Sequence, residues 1–437
     1  MKNVNAICEN LGVNNKGELT INGISTLELA KKYSTPLYVL DEDRIRNNCR
    51  VYVDAVKNAF GDNGGVLYAS KALSFKKIYS IINEENMGID VVSQGEIYTA
   101  KSAGFPLKKA YFHSNNKTDD DIAFAIDNGV GYFVVDNIEE LLAIDEISYD
   151  KKVKSNVLLR LTPGIDPHTY DAVATGKVDS KFGSAIETGQ AFEITSQALS
   201  LKNIKLVGFH CHVGSQVFDS SVYIMATEVM LNFIALVKDK LNYETEQLDI
   251  GGGYGVRYVE SDPYIDIGKN INEVANFIKS KTNSLGIKMP KILFEPGRSI
   301  VADAGLTLYT VGTVKRITGY KNYVSVDGGM TDNPRFALYK SNYTVVPAYN
   351  MNIECDMTAS VVGRCCESGD IIQENVLMPN GIKRGDVIAC LTTGAYNFAM
   401  SSGYNKLLRP SVVMVKDGKD YLAVKRQTLE DITSLDV

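Results

Sequence analysis

The sequence predicts a (β/α)8 TIM barrel with a second, C-terminal β domain to which the N-terminal segment contributes, an α/β plus β architecture. Three observations lead to it. Eight short runs rich in β-branched residues alternate with longer stretches of helical period between about residues 66 and 300. Past about residue 305 the helical period fades, and strand-like runs separated by turn residues take over. A chain of 437 residues with 45% hydrophobic content can bury a large core and is too long for one ordinary domain.

The eight barrel runs are 66–68, 89–92, 110–113, 132–135, 157–161, 206–210, 247–250 and 292–295. Eight parallel strands close a barrel of this kind, and its chemistry sits at the strands' C-terminal ends. The polar residues fall there: Lys71, Ser93, His113 to Asn116, Asp136, Arg160, His212, Gly251 to Gly253 and Glu295 to Arg298 lie at or just past the end of a run. Downstream, runs at 308–316, 323–326, 371–372, 387–390, 412–415 and 421–424 predict the β domain. Glu18, Leu19, Thr20 and Ile21, followed by Asn22 and Gly23, read as a strand and a turn that pair with it. The expected domains are 36–304 for the barrel and 1–35 plus 305–437 for the β domain.

A formal net charge of -6 lacks the basic excess that a nucleic-acid or anionic-lipid surface needs, so the expected partner is a small molecule, with no nucleic acid and no membrane. The N-terminus holds no apolar stretch behind basic residues, and no uncharged apolar run of about 18 residues occurs, which predicts a cytoplasmic protein. Seven cysteines (Cys8, Cys49, Cys211, Cys355, Cys365, Cys366 and Cys390) form no CxxC pair and fit reduced thiols. The four histidines, His113, His168, His210 and His212, supply no HExxH or Cys/His cluster, so no metal is expected.

Four motifs carry the chemistry, each with a bland reading beside the functional one. Lys71, in Tyr68-Ala69-Ser70-Lys71-Ala72, ends the first barrel run. Its amine can condense with a cofactor aldehyde and later yield to a substrate amine, or the side chain can simply snorkel to the rim. Asp249-Ile250-Gly251-Gly252-Gly253-Tyr254-Gly255 follows the seventh run. Glycines there let backbone N–H groups approach a phosphate closely; the alternative is a tight turn with no ligand. In Phe294-Glu295-Pro296-Gly297-Arg298, Arg298 can clamp phosphate oxygens or a substrate carboxylate and Glu295 can keep a ring nitrogen protonated. A local ion pair is the plainer reading. Alternation sends His210 and His212 of Phe209-His210-Cys211-His212-Val213-Gly214-Ser215-Gln216 to one face, where an imidazole can stack on a flat cofactor and Ser215 can donate to phosphate. A structural histidine is the alternative.

In this order, a lysine after the first strand, His-x-His-Val-Gly-Ser, Gly-Gly-Gly-x-Gly and Glu-Pro-Gly-Arg resemble the fold-type III pyridoxal-phosphate decarboxylases, whose barrel is alanine racemase-like. The resemblance covers nearly the whole chain, because Cys366-Glu367-Ser368-Gly369-Asp370 and Gly394-Ala395-Tyr396 match the decarboxylase branch as well. Four stretches are similar to the diaminopimelate decarboxylase family within it: Phe112-His113-Ser114-Asn115-Asn116-Lys117, Ala174-Thr175-Gly176 leading to Asp179-Ser180-Lys181-Phe182-Gly183, Asp327-Gly328-Gly329-Met330, and Arg335-Phe336-Ala337-Leu338-Tyr339. That resemblance implies pyridoxal 5'-phosphate as cofactor, with Lys71 as its lysine, His212 stacked on the ring and Glu295 on the pyridine nitrogen. Ser215, Gly255 and Arg298 are implied at the phosphate, with Gly253, Pro296 and Gly297 as further cofactor contacts. Arg298, Arg335, Tyr339, Glu367 and Tyr396 are implied as substrate contacts, Tyr396 also touching the cofactor, and Cys366 as the catalytic proton donor. Phe336 stands where the family usually has proline, Gln94 where glycine is usual and Gly403 where asparagine is common. These positions adjoin matched residues and bear on fine specificity.

The implied reaction is decarboxylation of meso-2,6-diaminopimelate to L-lysine and carbon dioxide, the last step of lysine biosynthesis. The implied assembly is a homodimer in which the loop of Cys366 and Glu367 completes the partner's site. Charge matching agrees with this substrate. Arg335 with Arg298 takes the carboxylate of the non-reacting end and Glu367 its ammonium, whereas ornithine or arginine would set a cation against Arg335. A glutamate rather than an arginine at the ring nitrogen favours decarboxylation over racemisation. Three rival readings stay open: a decarboxylase of another diamino acid, carboxynorspermidine-type or basic; a catalytically silent homologue that binds pyridoxal phosphate; and an unrelated phosphate-binding barrel in which Lys71 is merely structural.

Overall fold

A computed structural model describes residues 4–165 and 180–437; His168, the Ala174-Thr175-Gly176 stretch and Asp179 lie outside the described residues. The chain forms two compact units, one of Asn48–Gly255 and Ile265–Gly297, the other of Met1–Asn47, Val256–Tyr264 and Arg298–Val437.

The first unit is the expected barrel. Its strands are Gly64–Ala69, Gly88–Val91, Ala110–Phe112, Tyr132–Val135, Ser155–Thr162, Ile204–His210, Gln247–Asp249 and Lys291–Phe294. Neighbours are parallel throughout, and the last strand pairs with the first, Phe294 opposite Val66, to close the ring. All eight runs read from the sequence therefore fall on barrel strands. Strands send alternate side chains to opposite faces. Leu67, Tyr111, Val134, Leu158, Val207 and Leu293 form one buried apolar cluster contributed by six of these strands. Two residues beyond four of them the side chain on the same face becomes polar: His113 after Tyr111, Asp136 after Val134, Arg160 after Leu158 and Glu295 after Leu293. The apolar plug is the floor, and the polar layer above it is the mouth.

The sixth strand departs from this count. Its register shifts between Leu206 and Gly208, which brings His210, three residues past Val207, onto the face that carries Glu295. Phe209 points the other way and packs edge-on against Phe233 and Tyr243. Helices cover the outside of the ring. Ser220–Leu241 is long and apolar enough by composition to cross a membrane; Val222, Ala226, Met230, Phe233, Ile234 and Val237 are buried along it at helical spacing, as in a helix packed on a barrel.

The second unit is built on a sheet ordered Ile371–Met378, Met357–Val362, Lys321–Val326, Gly305–Ile317, Leu37–Asp41, Ser411–Lys416, Lys419–Val424. Val387–Leu391 also pairs with Gly305–Ile317, and Val345–Pro347 pairs with Val387–Leu391. Leu37–Asp41 is buried along its whole length, antiparallel to Gly305–Ile317 and parallel to Ser411–Lys416. It reads Leu-Tyr-Val-Leu-Asp without alternation, as a central strand covered on both faces does. Three short strands, Leu11–Val13, Leu19–Ile21 and Ile24–Ser25, form a separate small sheet whose Leu19 and Ile21 join a core with Leu37, Val39, Leu306, Leu308 and Val413. The six runs expected downstream all lie on strands of this unit. Leu37–Asp41, Val345–Pro347 and Met357–Val362 were not among the expected strands.

Gly208 sits where the shifted sixth strand meets the seventh, and a Cβ there would fall 1.8 Å from the Gln247 carbonyl oxygen. Backbone cannot yield as a flexible side chain can. Gly208→Ala is expected to destabilise the protein by about 2–3 kcal/mol, read as a lower urea midpoint; an unchanged midpoint would contradict this packing of the two strands.

Candidate active site

The barrel mouth centres on Glu295. Its carboxylate meets two imidazoles carried by different strands. His113 Nε2 lies 2.9 Å from Oε1, and His210 Nε2 lies 3.1 Å from Oε2 in a hydrogen bond. The two rings meet edge-on with centroids 4.9 Å apart. All three side chains are buried, with His210 1% and Glu295 6% exposed. The contact with His113 is out of line for a hydrogen bond, and the side chain of Asp249 is a further hydrogen-bond partner of the carboxylate. Backbone bonds fix the set: His113 N donates to Val91 O at 2.8 Å, and Glu295 N donates to Gly251 O at 2.9 Å.

The charges divide unequally. Burial alone would push the Glu295 carboxyl up, yet the imidazoles beside it hold it well below the usual carboxylate range. Burial and the neighbouring Glu295 charge push Asp249 the other way, well above its usual range. Of this close pair Glu295 carries the charge and Asp249 the proton. Burial lowers His210 to about 4 in spite of Glu295, so at neutral pH it holds the carboxylate with an N–H and no charge. Asp90 lies behind, with Oδ1 3.8 Å from His113 Nε2; burial raises it above its ordinary value. Such a place suits a planar ring whose nitrogen must keep a proton.

Around this centre stand the other expected residues of the barrel. Lys71 is exposed in the short turn Ser70–Ala72 directly after the first strand. That strand's end is tied to the Glu-Pro-Gly turn by Ala69 N donating to Pro296 O at 3.1 Å. A Cβ on Gly297 would fall 2.9 Å from Ala69 Cβ, so the turn can pass only as glycine without a shift. His212 is neutral, because burial and then the charges of Lys71 and Arg160 push it well below its ordinary value. Its Nδ1 accepts from Gly252 N at 3.3 Å, which orients the ring. The loops after strands six and seven are joined: Val217 N donates to Gly253 O and Gly255 N to Val217 O, at 3.0 and 2.9 Å. Ser215 is thereby set beside the glycine loop. Gly253, at φ 110°, passes so close to Gly214 that a Cβ would be 2.1 Å from its carbonyl oxygen, and one on Gly252 would be 1.9 Å from that of Glu295. These are backbone approaches that only glycine allows, of the kind that cradle an anion.

The β unit holds a second set. Arg335 is 6% exposed, donates from Nη2 to Ser341 Oγ at 3.1 Å, and has a buried Nε with no hydrogen-bond partner among the described residues. Its neighbours are aromatic rings: Tyr258 and Tyr396 each at 5.6 Å and Tyr339 at 6.0 Å from Cζ. Among the described residues no carboxylate pairs with it. Arg298 shares two of those rings, 4.8 Å from Tyr396 and hydrogen-bonded to the Tyr258 hydroxyl at 2.7 Å. Among the described residues Glu295 is paired with His113 and His210. Tyr396 adopts φ 60°, a left-handed backbone unusual for a bulky residue and common at functional sites. Cys366 and Glu367 are exposed in a loop pinned by buried Asp370, which accepts from Met330 N and Cys365 N at 2.6 and 2.7 Å.

Four residues of this geometry have roles that the sequence reading did not assign: His113 and His210 as holders of Glu295, Asp249 as a protonated neighbour, and Tyr258 beneath the arginines. His113, His210 and Asp249 stood inside sequence motifs, His210 as a candidate with His212 for stacking on a cofactor, so adjacency was their signal. The two imidazoles and the carboxylate have donor atoms within 4.8 Å of one another, a clustering that linear spacing of histidines does not foretell.

Comparison with known proteins adds a family. Residues 43–302 match the model described as pyridoxal-dependent decarboxylase, pyridoxal binding domain. The chain is 43% identical to the diaminopimelate decarboxylase of Bacillus methanolicus over 97% of its own length and 98% of that protein. It is 41% identical to that of Bacillus subtilis (strain 168) over 97% of its length and 96% of the relative. In three dimensions it is similar to the crystal structure of diaminopimelate decarboxylase from M. jannaschii in co-complex with L-lysine, with 32% identity, a TM-score of 0.90 and 98% of each chain covered.

The buried neutral His210 has a consequence for stability. Unfolded, it takes its proton at its ordinary value of 6.5; folded, it does so at about 4. Its contribution is therefore full above the unfolded value and is lost as pH falls through this window. His210→Gln keeps an N–H for Glu295 but does not titrate, so the loss of unfolding free energy between pH 7 and 5 is expected to shrink by about 2 kcal/mol relative to wild type. Parallel pH dependences of the two proteins would contradict the depressed value.

Proposed function

The chain belongs to the pyridoxal-dependent decarboxylases and, within them, to the diaminopimelate decarboxylase family, and from that premise we propose that it converts meso-2,6-diaminopimelate to L-lysine and carbon dioxide, the last step of lysine biosynthesis. The observation that carries the substrate is Arg335. A buried guanidinium with no acid beside it is costly unless an anion arrives, and the non-reacting end of diaminopimelate brings a carboxylate.

The residues of the mouth fit pyridoxal 5'-phosphate. A buried carboxylate held in its charged form suits a ring N–H, and the glycine approaches at Gly252 and Gly253 suit a phosphate. The cofactor, when bound, supplies an aldehyde that captures the substrate amine and a ring that accepts the electrons released with carbon dioxide. Lys71 would anchor it through its amine and give way to the substrate. Glu295 would keep the ring nitrogen protonated, and His212, fixed by Gly252, would hold the ring. Ser215, Gly253, Gly255, Pro296, Gly297 and Arg298 are assigned to the cofactor's phosphate and its surroundings, with Tyr396 as a further contact. Arg335, Arg298, Tyr339 and Tyr396 hold the distal carboxylate, and Glu367 takes the distal ammonium. Cys366 returns one proton to the carbon that lost its carboxylate, which balances the reaction. Both Cys366 and Glu367 are exposed, which suits groups that complete the site of a second copy in a homodimer, and the enzyme is assigned to the cytoplasm.

The test is a substrate panel. Purified protein with pyridoxal phosphate should decarboxylate meso-diaminopimelate and leave ornithine, arginine and lysine untouched. Arg335→Ala should raise KM on the order of 100-fold with a smaller change in kcat, because one partner of a buried charge pair is lost. Preferred turnover of ornithine, or an unchanged KM in the variant, would overturn the assignment.

A further inference from the structure

We propose that His113 and His210 are positioning residues for Glu295, holding its carboxylate in one orientation and in its charged form so that Oε1 receives the ring N–H of the cofactor. The inference rests on the reading of Glu295 as the partner of the ring nitrogen. It adds what makes that partner effective.

Each oxygen of the carboxylate has its own imidazole, at 2.9 and 3.1 Å. The three side chains come from the ends of the third, sixth and eighth barrel strands, so the carboxylate is braced from across the ring and cannot swing without breaking a contact. His210 occupies Oε2 with a true hydrogen bond. A carboxylate oxygen accepts at two lone pairs, and His113 stands off-axis from Oε1, which leaves room on that oxygen for another donor. Two further contacts keep the brace in place: the edge-on packing of the rings, 4.9 Å between centroids, and the His113 N to Val91 O bond of 2.8 Å.

Imidazole suits this task better than lysine or arginine. A permanent cation paired with Glu295 would cancel the charge that has to attract the ring's proton. A neutral N–H orients the carboxylate and stabilises its charged form while leaving that charge to act on the ligand. Burial keeps His210 in this neutral form. Its Nδ1, buried and without a hydrogen-bond partner among the described residues, fits the unprotonated nitrogen of that tautomer. The two histidines act on the reaction only through Glu295.

The discriminating probe is the 1-deaza analogue of pyridoxal phosphate, in which the ring nitrogen is replaced by carbon. Full-length protein stripped of cofactor is titrated with each compound, and the ratio of the two Kd values is the readout, independent of turnover. Wild type should prefer pyridoxal phosphate by tenfold or more, as a charge-assisted hydrogen bond allows, and Glu295→Gln should lose most of that preference. His210→Phe, which keeps an aromatic ring but removes the N–H, should lose it severalfold. His210→Gln, which restores an N–H, should recover it. A wild-type ratio near one would remove the premise about Glu295. A wild-type preference that Glu295→Gln loses but His210→Phe keeps within twofold would overturn the role of the histidines alone. If His210→Phe does not fold, His113→Leu decides: a severalfold loss of preference supports the proposal, and full retention overturns it.

Discussion

The buried carboxylate of Glu295 is the constraint on which the rest of the barrel mouth depends. An ionised acid 6% exposed to solvent cannot persist without compensation, since burial disfavours charge strongly. The fold compensates from three directions. It places an imidazole at each oxygen, leaves the proton on neighbouring Asp249, and ties the Glu295 backbone to the glycine loop through Gly251. Each device requires another strand end to be in register. The bulge that turns His210 inward, and the glycine that lets the sixth strand pass close to the seventh, are the structural cost of one charged carboxylate.

A second buried charge tells the complementary story. Arg335 is as buried as Glu295, but its surroundings are tyrosine rings rather than acids. Cation–π contacts with Tyr258 and Tyr396 make the guanidinium tolerable without neutralising it. The barrel thus holds a buried anion and the β unit a buried cation, each kept charged by its own surroundings. On the proposed function, a carboxylate matched to Arg335 would separate diaminopimelate from ornithine more sharply than any difference in chain length, because polar groups left unpaired cost more than a missing methylene.

Much of this was legible in the sequence, for reasons that can be named. The barrel strands announced themselves as β-branched runs between helical stretches, and the polar motifs at their ends marked the mouth. Leu37–Asp41 was missed because a fully buried strand shows no alternation to distinguish it from other apolar runs. Val345–Pro347 is three residues long and ends in proline, and Met357–Val362 carries Thr, Ala and Ser between its apolar ends. The role of the paired imidazoles was not legible at all. His113 and His210 are nearly a hundred positions apart and lie on strands that are not neighbours, and the register shift at Gly208 that aims one of them has no local signature beyond the glycine.

The charge of the Glu295 carboxyl can be read directly by infrared spectroscopy. Wild type and Glu295→Gln are each prepared with carbon-13 in the glutamate side-chain carboxyls, so that aspartate bands are displaced from those of glutamate, and a difference spectrum is taken at neutral pH. If Glu295 is held ionised between its imidazoles, the substitution removes intensity from the antisymmetric carboxylate stretch. Loss of intensity from the carbonyl stretch of a protonated acid instead would mean that this buried group is neutral, and the account of the barrel mouth built on its charge would fail.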